Sequence, residues 1–171
     1  VLYSGLINKR IKPNDTITCS SKIEFGDRNF YCWCHKKKTG CYAARNHKTK
    51  VGIKLALAQS CDCFFYELAK RIGIDKIAST SVDLGLGKKT GINIDGEKTG
   101  LIPTRSWKKK NIGKSWQIGE TMITGVGQGY ITSTPIQLAL ISALIANNGN
   151  RIFPIINLDN LDPIPSAQDY K

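Results

Sequence analysis

A serine and a carboxylate lie two positions apart in a polar interruption of an apolar segment. Ser60 and Asp62 flank Cys61, directly after the apolar run of residues 51–58. A hydroxyl beside a carboxylate can relay a proton when both groups face a cleft. The structural alternative is that Ser60 caps a helix that begins near Cys63, with Asp62 favoured by the helix dipole. The pair therefore indicates either a catalytic site or a helix start.

A serine can act as a nucleophile when a lysine lies one helical turn away from it. The desolvated, neutral amine of that lysine can accept the proton of the serine hydroxyl. Residues 106–109, of sequence SWKK, are the one stretch of the form Ser-x-x-Lys. This stretch comes just after Pro103 in a loop-rich region, where no buried helix start is expected. We therefore expect that Ser106 is not a nucleophile.

Cysteine and histidine residues form a second group of candidate functional side chains. They are concentrated in the first part of the chain: Cys19, Cys32, Cys34, His35, Cys41, His47, Cys61 and Cys63. Residues 14–50 carry few apolar residues at regular spacing, so this segment needs a metal ion or covalent ties in addition to burial. A zinc site, three disulfides and buried free thiols are all compatible with the pattern.

The periodicity of apolar residues predicts the elements that position Ser60 and Asp62. Apolar side chains at helical spacing within residues 64–72 predict one face of a buried helix that ends near Gly73. A second helical stretch is expected before Ser60. The two candidate catalytic residues should therefore lie at the junction of two helices.

Other boundaries follow from capping residues and glycines. The first residues read as the end of a helix that closes at Gly5, and Asp75 should begin another helix. Residues 91–116 are expected to be mainly loop. Thr134 followed by Pro135 predicts a helix start, because the hydroxyl accepts from a free backbone N–H and proline has none to satisfy.

Charge and length exclude some classes of protein. The net charge is +12, with 19 Lys against 6 Arg, and the basic residues form short runs such as residues 108–110 without interleaved aromatic residues. This pattern is typical of a solvated basic face, and no nucleic-acid partner is expected. The longest apolar stretch, residues 136–146, is shorter than the ~20 residues that cross a bilayer.

Three motifs, in order, resemble one family. They are SCDCFFY at residues 60–66, PTRSW at 103–107, and GQGY at 127–130 followed by TPIQLA at 134–139. The combination is similar to class B penicillin-binding proteins of the cell-elongation branch, penicillin-binding protein 2. The resemblance implies an α+β transpeptidase-domain fragment, mostly helical, with an incomplete sheet. Its expected parts are a Cys/His-rich loop at 14–50, a helical core at 51–150 and an irregular tail at 151–171.

The resemblance implies peptidoglycan D,D-transpeptidation, in which a serine attacks a D-Ala-D-Ala stem peptide and the acyl group passes to a neighbouring amine. Ser60 and Asp62 match the second of the family's three motifs in its Asp form. Ser60 would relay a proton to or from the amine, and Asp62 would orient a substrate amide or the catalytic lysine. The glycine-rich stretch is expected to line the channel: Gly127, Gln128, Gly129 and Tyr130.

The other two family motifs are not found where the resemblance requires them. The nucleophile helix would precede the chain, since its last turns resemble residues 1–6. Lys-Thr-Gly occurs at residues 38–40, 89–91 and 98–100. All three copies precede the helix that starts at Thr134, whereas the family's motif follows that helix on a strand. We therefore expect this chain alone to be inactive.

The resemblance also implies a zinc site beside the second motif. Matched residue by residue, its ligands would be Cys19, Cys32, His47 and Cys61, a set suited to a closed structural site. The stretch between Cys32 and His47 looks expanded relative to the family and adds rival ligands in Cys34, His35 and Cys41.

The full enzyme is expected at the periplasmic face of the inner membrane, held by an N-terminal anchor. Its expected partners are peptidoglycan stem peptides, β-lactams and a glycosyltransferase of the elongation machinery. The competing class of function is a zinc-stabilised basic module that binds nucleic acid or a partner without catalysis.

Overall fold

The computed structural model describes residues 1–36 and 49–156. Their regular elements, in chain order, are α1 (Leu2–Ile7), β1 (Thr16–Cys19), β2 (Lys22–Phe25), β3 (Arg28–Tyr31), a 3-10 turn (Trp33–Lys36), β4 (Thr49–Gly52), α2 (Ile53–Ala58), α3 (Asp62–Ile72), α4 (Ile74–Asp83), α5 (Arg105–Ile112), α6 (Ile118–Gly125) and α7 (Pro135–Ala146). They divide into two compact units, one of Val1–Thr80 with Pro103–Tyr130 and one of Ser81–Ile102 with Ile131–Lys171.

Helices are the main regular elements of the described residues, and the strands form only two small antiparallel sheets. β1 pairs with β4, with Thr16 opposite Gly52. β2 and β3 form a hairpin in which Phe25 lies opposite Arg28. This arrangement confirms the α+β class, mostly helical and with a limited sheet.

Helix α3 is the centre of the first unit. Phe64 and Leu68 on its buried face are inaccessible to solvent, and burial of each such side chain stabilises the fold by about 1.5–3 kcal/mol. Residues of α1, α2 and β1 contribute to the same apolar core. Phe30 of β3 packs edge-on against Tyr66 of α3, with 5.7 Å between ring centroids. α1, α2, β1 and β3 therefore pack against α3.

The ends of the helices agree with the local sequence signals. Gly73 ends α3 with a φ of +83°, a conformation that glycine adopts without strain. α4 begins at Ile74, one residue before the predicted start. Thr134 caps α7 by accepting a hydrogen bond from the Gln137 N–H, and Pro135 is the first helical residue, as predicted.

One sequence expectation about elements is wrong, and two helices were not predicted. α1 continues past Gly5 to Ile7, because the absence of a side chain at Gly5 lets the helix pack against Leu68, whose Cδ1 would lie 3.0 Å from an added Cβ. α5 occupies part of the stretch expected to be loop. α6, which precedes the glycine-rich motif, was not predicted, since glycines at two of its eight positions disfavour a helix.

The second unit is organised around a buried glutamine. The Gln137 side chain donates to the carbonyl of Lys88 at 2.6 Å and to that of Thr99 at 2.9 Å. A backbone bridge joins Leu101 to Thr132. α7 itself carries apolar residues on all sides and leaves Leu138 and Ile145 more than half exposed. No helix in the described part of the chain has the length and apolar character to cross a membrane.

The contact between α3 and α6 depends on the absence of a side chain at Gly125. A Cβ added there would lie 2.5 Å from Cβ of Ala69 and 3.1 Å from the backbone oxygen of Phe65. We predict that Gly125→Ala destabilises the chain by about 1–3 kcal/mol, because the two helices must separate. Thermal or urea unfolding measures this change.

The matched control is the double variant Gly125→Ala with Ala69→Gly. It removes the nearer of the two clashes, so we expect it to recover part of the lost stability, although glycine within α3 itself costs about 1 kcal/mol. Purely additive losses in the double variant would contradict this packing.

Candidate functional site

The junction between α2 and α3 has an unusual backbone conformation. Ser60 has a φ of +47°, in the left-handed region, and its side chain is exposed. Its N–H donates to the carbonyl of Leu57 at 3.2 Å, and the N–H of Cys61 donates to that of Ala56 at 3.0 Å. A non-glycine residue in this region costs about 1–3 kcal/mol, and such residues concentrate at functional sites.

Ser60 does not act as the helix cap. The N-cap of α3 is Cys61, and its side chain makes no capping hydrogen bond. Asp62 is the first residue of α3, where a negative charge is favoured by the helix dipole. The capping alternative for Ser60 is therefore wrong, whereas the dipole alternative for Asp62 stands beside any catalytic role.

Trp33 holds Asp62 and the junction in place. Its backbone N–H donates to Oδ2 of Asp62 at 2.9 Å, and its indole N–H donates to the carbonyl of Gln59 at 2.7 Å. Burial raises the pKa of Asp62, the hydrogen bond from Trp33 opposes that rise, and the neighbouring Cys32 adds to it. The carboxylate is thus fixed at a half-buried position.

An open pocket of about 640 Å³ lies beside Asp62 in the first unit. Its lining combines aromatic, polar and ionisable side chains: Tyr31, Cys32, Trp33, His35, Asp62, Tyr66 and Gln128. Burial is the main cause that raises the pKa of Tyr66 to about 12, so its hydroxyl stays protonated at neutral pH. Asp62 and Gln128, far apart in sequence, therefore border one cavity.

The remaining residues predicted to line a channel lie near this pocket in sequence but do not line it. Gly127 and Gly129 are exposed and have φ values of +76° and +83°, so both turns require glycine. The ring of Tyr130 packs against Trp107 and Trp116, with centroids 5.3 Å and 6.4 Å apart. The two tryptophans are packing anchors for this turn.

Lys108 supports the same region, and sequence reasoning missed it. The run of basic residues at 108–110 predicts a solvated side chain, but that of Lys108 is buried. Its Nζ contacts Glu120 Oε1 at 2.5 Å and donates to the carbonyl of Ser115 at 2.9 Å. Glu120 Oε2 accepts from the N–H of Gln117 at 2.7 Å. This ion pair fixes the start of α6, which leads into Gln128. Its acidic partner on another helix gave no local sequence signal.

The Ser-x-x-Lys stretch has the wrong environment for a nucleophile. Ser106 lies in the first turn of α5 rather than in a loop, which corrects the sequence expectation. Both Ser106 and Lys109 are exposed, so nothing desolvates the amine. The Lys-Thr-Gly copies at 89–91 and 98–100 lie outside the strands of the described residues, and the copy at 38–40 lies outside the described residues.

Buried thiols from three segments meet next to Asp62. The Sγ atoms of Cys19, Cys32 and Cys63 all lie within 4.8 Å of one another. The thiol of Cys61 is close enough to those of Cys19 and Cys32 for hydrogen bonding to shift its pKa. Within residues 1–36 and 49–156, no disulfide joins two cysteines.

Mutual hydrogen bonding divides these thiols into two kinds. Hydrogen bonds from Cys19, Cys61 and Cys63 lower the pKa of Cys32. Contacts with Cys19 and Cys32, together with burial, raise the pKa values of Cys61 and Cys63. For Cys19, Cys32 raises the pKa, but hydrogen bonds from Cys61 and Cys63 outweigh it and lower the pKa to about 6. Hydrogen bonding within the cluster thus favours the thiolate form of Cys32 and disfavours that of Cys61 and Cys63.

The cluster matches the donor chemistry of a structural zinc site. Four thiolates at about 2.3 Å from a tetrahedral ion have sulfurs about 3.8 Å apart, so the mutually close thiols exceed that spacing by no more than about 1 Å. Of the predicted ligands, the structure brings Cys19, Cys32 and Cys61 together. His47 and Cys41 lie outside the described residues. Cys63 was not predicted as a ligand.

We predict that the amide of Trp33 depends on the Asp62 carboxylate. Asp62→Ala removes the carboxylate that accepts from this N–H, and a hydrogen bond to a charged group contributes about 1.5–3 kcal/mol. Amide exchange at Trp33 should then accelerate by about 10- to 100-fold relative to Leu68. Asp62→Asn retains an acceptor oxygen and should give a smaller effect. Equal rates for both variants and the parent would contradict the contact.

Known proteins with similar sequences and folds identify the family. The family model for the penicillin binding protein transpeptidase domain matches residues 1–162. The peptidoglycan D,D-transpeptidase MrdA of Haemophilus influenzae is 43% identical over 141 residues, which cover 81% of this chain and 20% of that protein.

Two solved structures share the fold. The penicillin-binding protein PBP2 of Helicobacter pylori, in complex with MreC, superimposes with a TM-score of 0.80 at 33% identity, over 94% of this chain and 28% of that one. A peptidoglycan synthase complex that coordinates polymerization and crosslinking contains a chain with a TM-score of 0.76 at 32% identity, covering 90% of this chain and 25% of that one.

The chain spans 16% to 20% of the length of the first curated relatives that it matches. The family match nevertheless includes all of the described residues. The chain belongs to the penicillin-binding protein transpeptidase domain family, in its PBP2 branch.

Proposed function

We propose that this chain contributes the second catalytic motif of a peptidoglycan D,D-transpeptidase, which cross-links stem peptides by acyl transfer. Family membership and the similarity to the H. influenzae enzyme support this reaction class. The observation that carries the residue assignment is that Asp62 of the SCDCFFY stretch and Gln128 of the GQGY stretch line one pocket. The activity, substrates and partners proposed here belong to the full-length enzyme.

Ser60 acts as a proton relay in this proposal. Acylation of the nucleophile releases an amine that must gain a proton, and transfer to the acceptor requires an amine to lose one. The hydroxyl of Ser60 is exposed and held by a strained backbone at the junction of two helices. A hydroxyl can both donate and accept, so one side chain serves both half-reactions.

Asp62 and Gln128 position the substrate. The hydrogen bond from Trp33 fixes the Asp62 carboxylate at the pocket wall, where it can accept from an amide N–H of the stem peptide. The side chain of Gln128 offers both a donor and an acceptor to the same peptide. The aromatic side chains around them supply apolar surface for the rest of the stem peptide.

The proposal extends to the setting of the full-length enzyme. The H. pylori relative was solved with MreC, and another relative is part of a peptidoglycan synthase complex. By similarity, we expect this enzyme to work with a glycosyltransferase of the elongation machinery at the periplasmic face of the inner membrane, held there by an anchor. β-Lactams are expected ligands, since they acylate the nucleophile of this family.

Ser60→Ala in the full-length enzyme tests the relay. We predict that it lowers the rate of stem-peptide cross-linking by about 10²- to 10⁴-fold, because proton transfer by a positioned group contributes that much. Ser106→Ala is the matched control, as Ser106 is also an exposed serine near a helix start, and it should leave the rate unchanged. Equal rates for both variants would refute a relay by Ser60.

The 171 residues alone should not react with penicillin. They contain one Ser-x-x-Lys stretch, and its serine and terminal lysine are both exposed. We predict no time-dependent labelling of the isolated chain by a fluorescent penicillin, while the full-length enzyme is labelled. Labelling of the isolated chain that disappears in Ser106→Ala would show that this stretch is a nucleophile after all.

A structural zinc ion is part of the proposal. Cys19, Cys32 and Cys61 converge, and the resemblance adds His47 as a fourth ligand. A zinc ion supplies a closed, redox-inert tie between β1, the turn at Cys32 and the start of α3. The thiols would hold the ion, while Ser60 and Asp62 remain outside its coordination.

Metal analysis tests this tie. We predict that the chain purified without chelator carries about one equivalent of zinc and that all of its cysteine thiols react after the metal is chelated under denaturing conditions. A metal-free protein in which those thiols have been lost to disulfides would contradict the zinc proposal. A metal-free protein with free thiols would contradict it as well.

A further inference from the structure

We propose that Cys63 is a ligand of this ion, so that Cys19, Cys32, Cys61 and Cys63 form an all-thiolate site in which His47 is not required. This inference rests on the proposed zinc ion but goes beyond the ligand set that the family resemblance implies. It follows from the placement of the described cysteines around one another. No redox step is involved, since each bound thiol gives its proton to the solvent as its sulfur forms a bond to zinc.

Mutual proximity is the first argument for Cys63. A tetrahedral ligand must lie near every other ligand, and Cys63 lies within 4.8 Å of both Cys19 and Cys32 at the level of the sulfur atoms. Cys61 interacts with the same two thiols. Cys19 and Cys32 therefore form a pair that is approached by Cys61, the N-cap of α3, and by Cys63 in its first turn.

Burial is the second argument. Cys61 and Cys63 are 0% exposed, Cys32 is 2% exposed and Cys19 is 4% exposed. Structural zinc sites are closed to water, and four sulfurs are one of their common ligand sets. The site lies at the N-terminus of α3, an 11-residue helix, whose dipole and free N–H groups favour the excess negative charge of four thiolates.

Cys34 is the rival fourth sulfur, and its position differs. Its Sγ lies 3.9 Å from that of Cys19, within hydrogen-bonding reach. The mutually close group contains Cys19, Cys32 and Cys63, and neither Cys34 nor Cys61 belongs to it. Cys61, however, is within hydrogen-bonding reach of both Cys19 and Cys32. A thiol that contacts a ligand sulfur from outside this group can support the site through a hydrogen bond, and there a hydroxyl can replace it.

The consequence concerns the catalytic segment. Cys61 and Cys63 flank Asp62, so chelation by both fixes the backbone of the residue between them. The strained Ser60 immediately precedes this chelate. An all-thiolate site therefore acts as a positioning device for the second motif, while neither Ser60 nor Asp62 touches the metal.

X-ray absorption at the zinc edge of the unmutated chain is the first test, because it does not depend on how variants fold. We expect a single shell of four sulfurs at about 2.3 Å. A shell of three sulfurs with one imidazole nitrogen at about 2.0–2.1 Å would overturn the inference and leave the zinc proposal intact.

Variants provide the second test, in the same chain under competition with a chelator. Cys63→Ser should weaken zinc binding by about 100-fold or more, since loss of even a supporting group costs about 10- to 100-fold. Cys34→Ser makes the same chemical change in the same cluster and should cost about 10-fold or less, and His47→Ala should bind like the parent.

The opposite ranking of the variants' zinc affinities would overturn the inference. Retention of zinc by Cys63→Ser together with its loss in His47→Ala or Cys34→Ser would assign the fourth position to one of those residues. A parent chain that binds no zinc would overturn the inference together with the zinc proposal. Faster amide exchange at residues 59–63 after chelation, with exchange at Leu68 unchanged, would support the positioning role.

Discussion

The geometry of the candidate site depends on how the short segment between α2 and α3 is held. Left to itself, a serine with a φ of +47° would relax to a more common conformation. The segment is fastened on one side by Trp33, which donates one hydrogen bond to Asp62 and one to the carbonyl of Gln59. On the other side, the buried thiols of Cys61 and Cys63 pack against Cys19 and Cys32. The strain at Ser60 is therefore offset by contacts in which Ser60 takes no part.

These contacts place polar groups at one pocket, while the apolar face of α3 stays buried in the core. α3 buries Phe64 and Leu68 on one face, and its first residue, Asp62, reaches the pocket wall. α6 packs closely on α3 through Gly125 and leads into Gln128 on the same wall. The ion pair of Lys108 with Glu120 fixes where α6 begins. Two motifs thus meet because two helices pack, and the chemistry proposed for them follows from that packing.

The sequence predicted the features that depend on local patterns. The apolar periodicity of residues 64–72 located α3, and Thr134 with Pro135 located the start of α7. Features set by contacts between distant residues were missed. Lys108 was assigned to the surface because its partner Glu120 lies on another helix. Cys63 was not singled out as a ligand, because the direction of its side chain depends on the residue at which α3 starts. Family resemblance indicated Ser60 and Gln128, which periodicity alone could not separate from a helix junction and a turn.

The central claim is that the junction at Ser60 faces the reacting centre of the full-length transpeptidase. A crystal structure of that enzyme acylated by a penicillin measures this most directly. The account predicts that Ser60 Oγ lies within about 2.6–3.2 Å of the nitrogen released by ring opening, with Asp62 and Gln128 along the same groove. A Ser60 hydroxyl directed away from the acyl group, with no contact to the ligand, would contradict it.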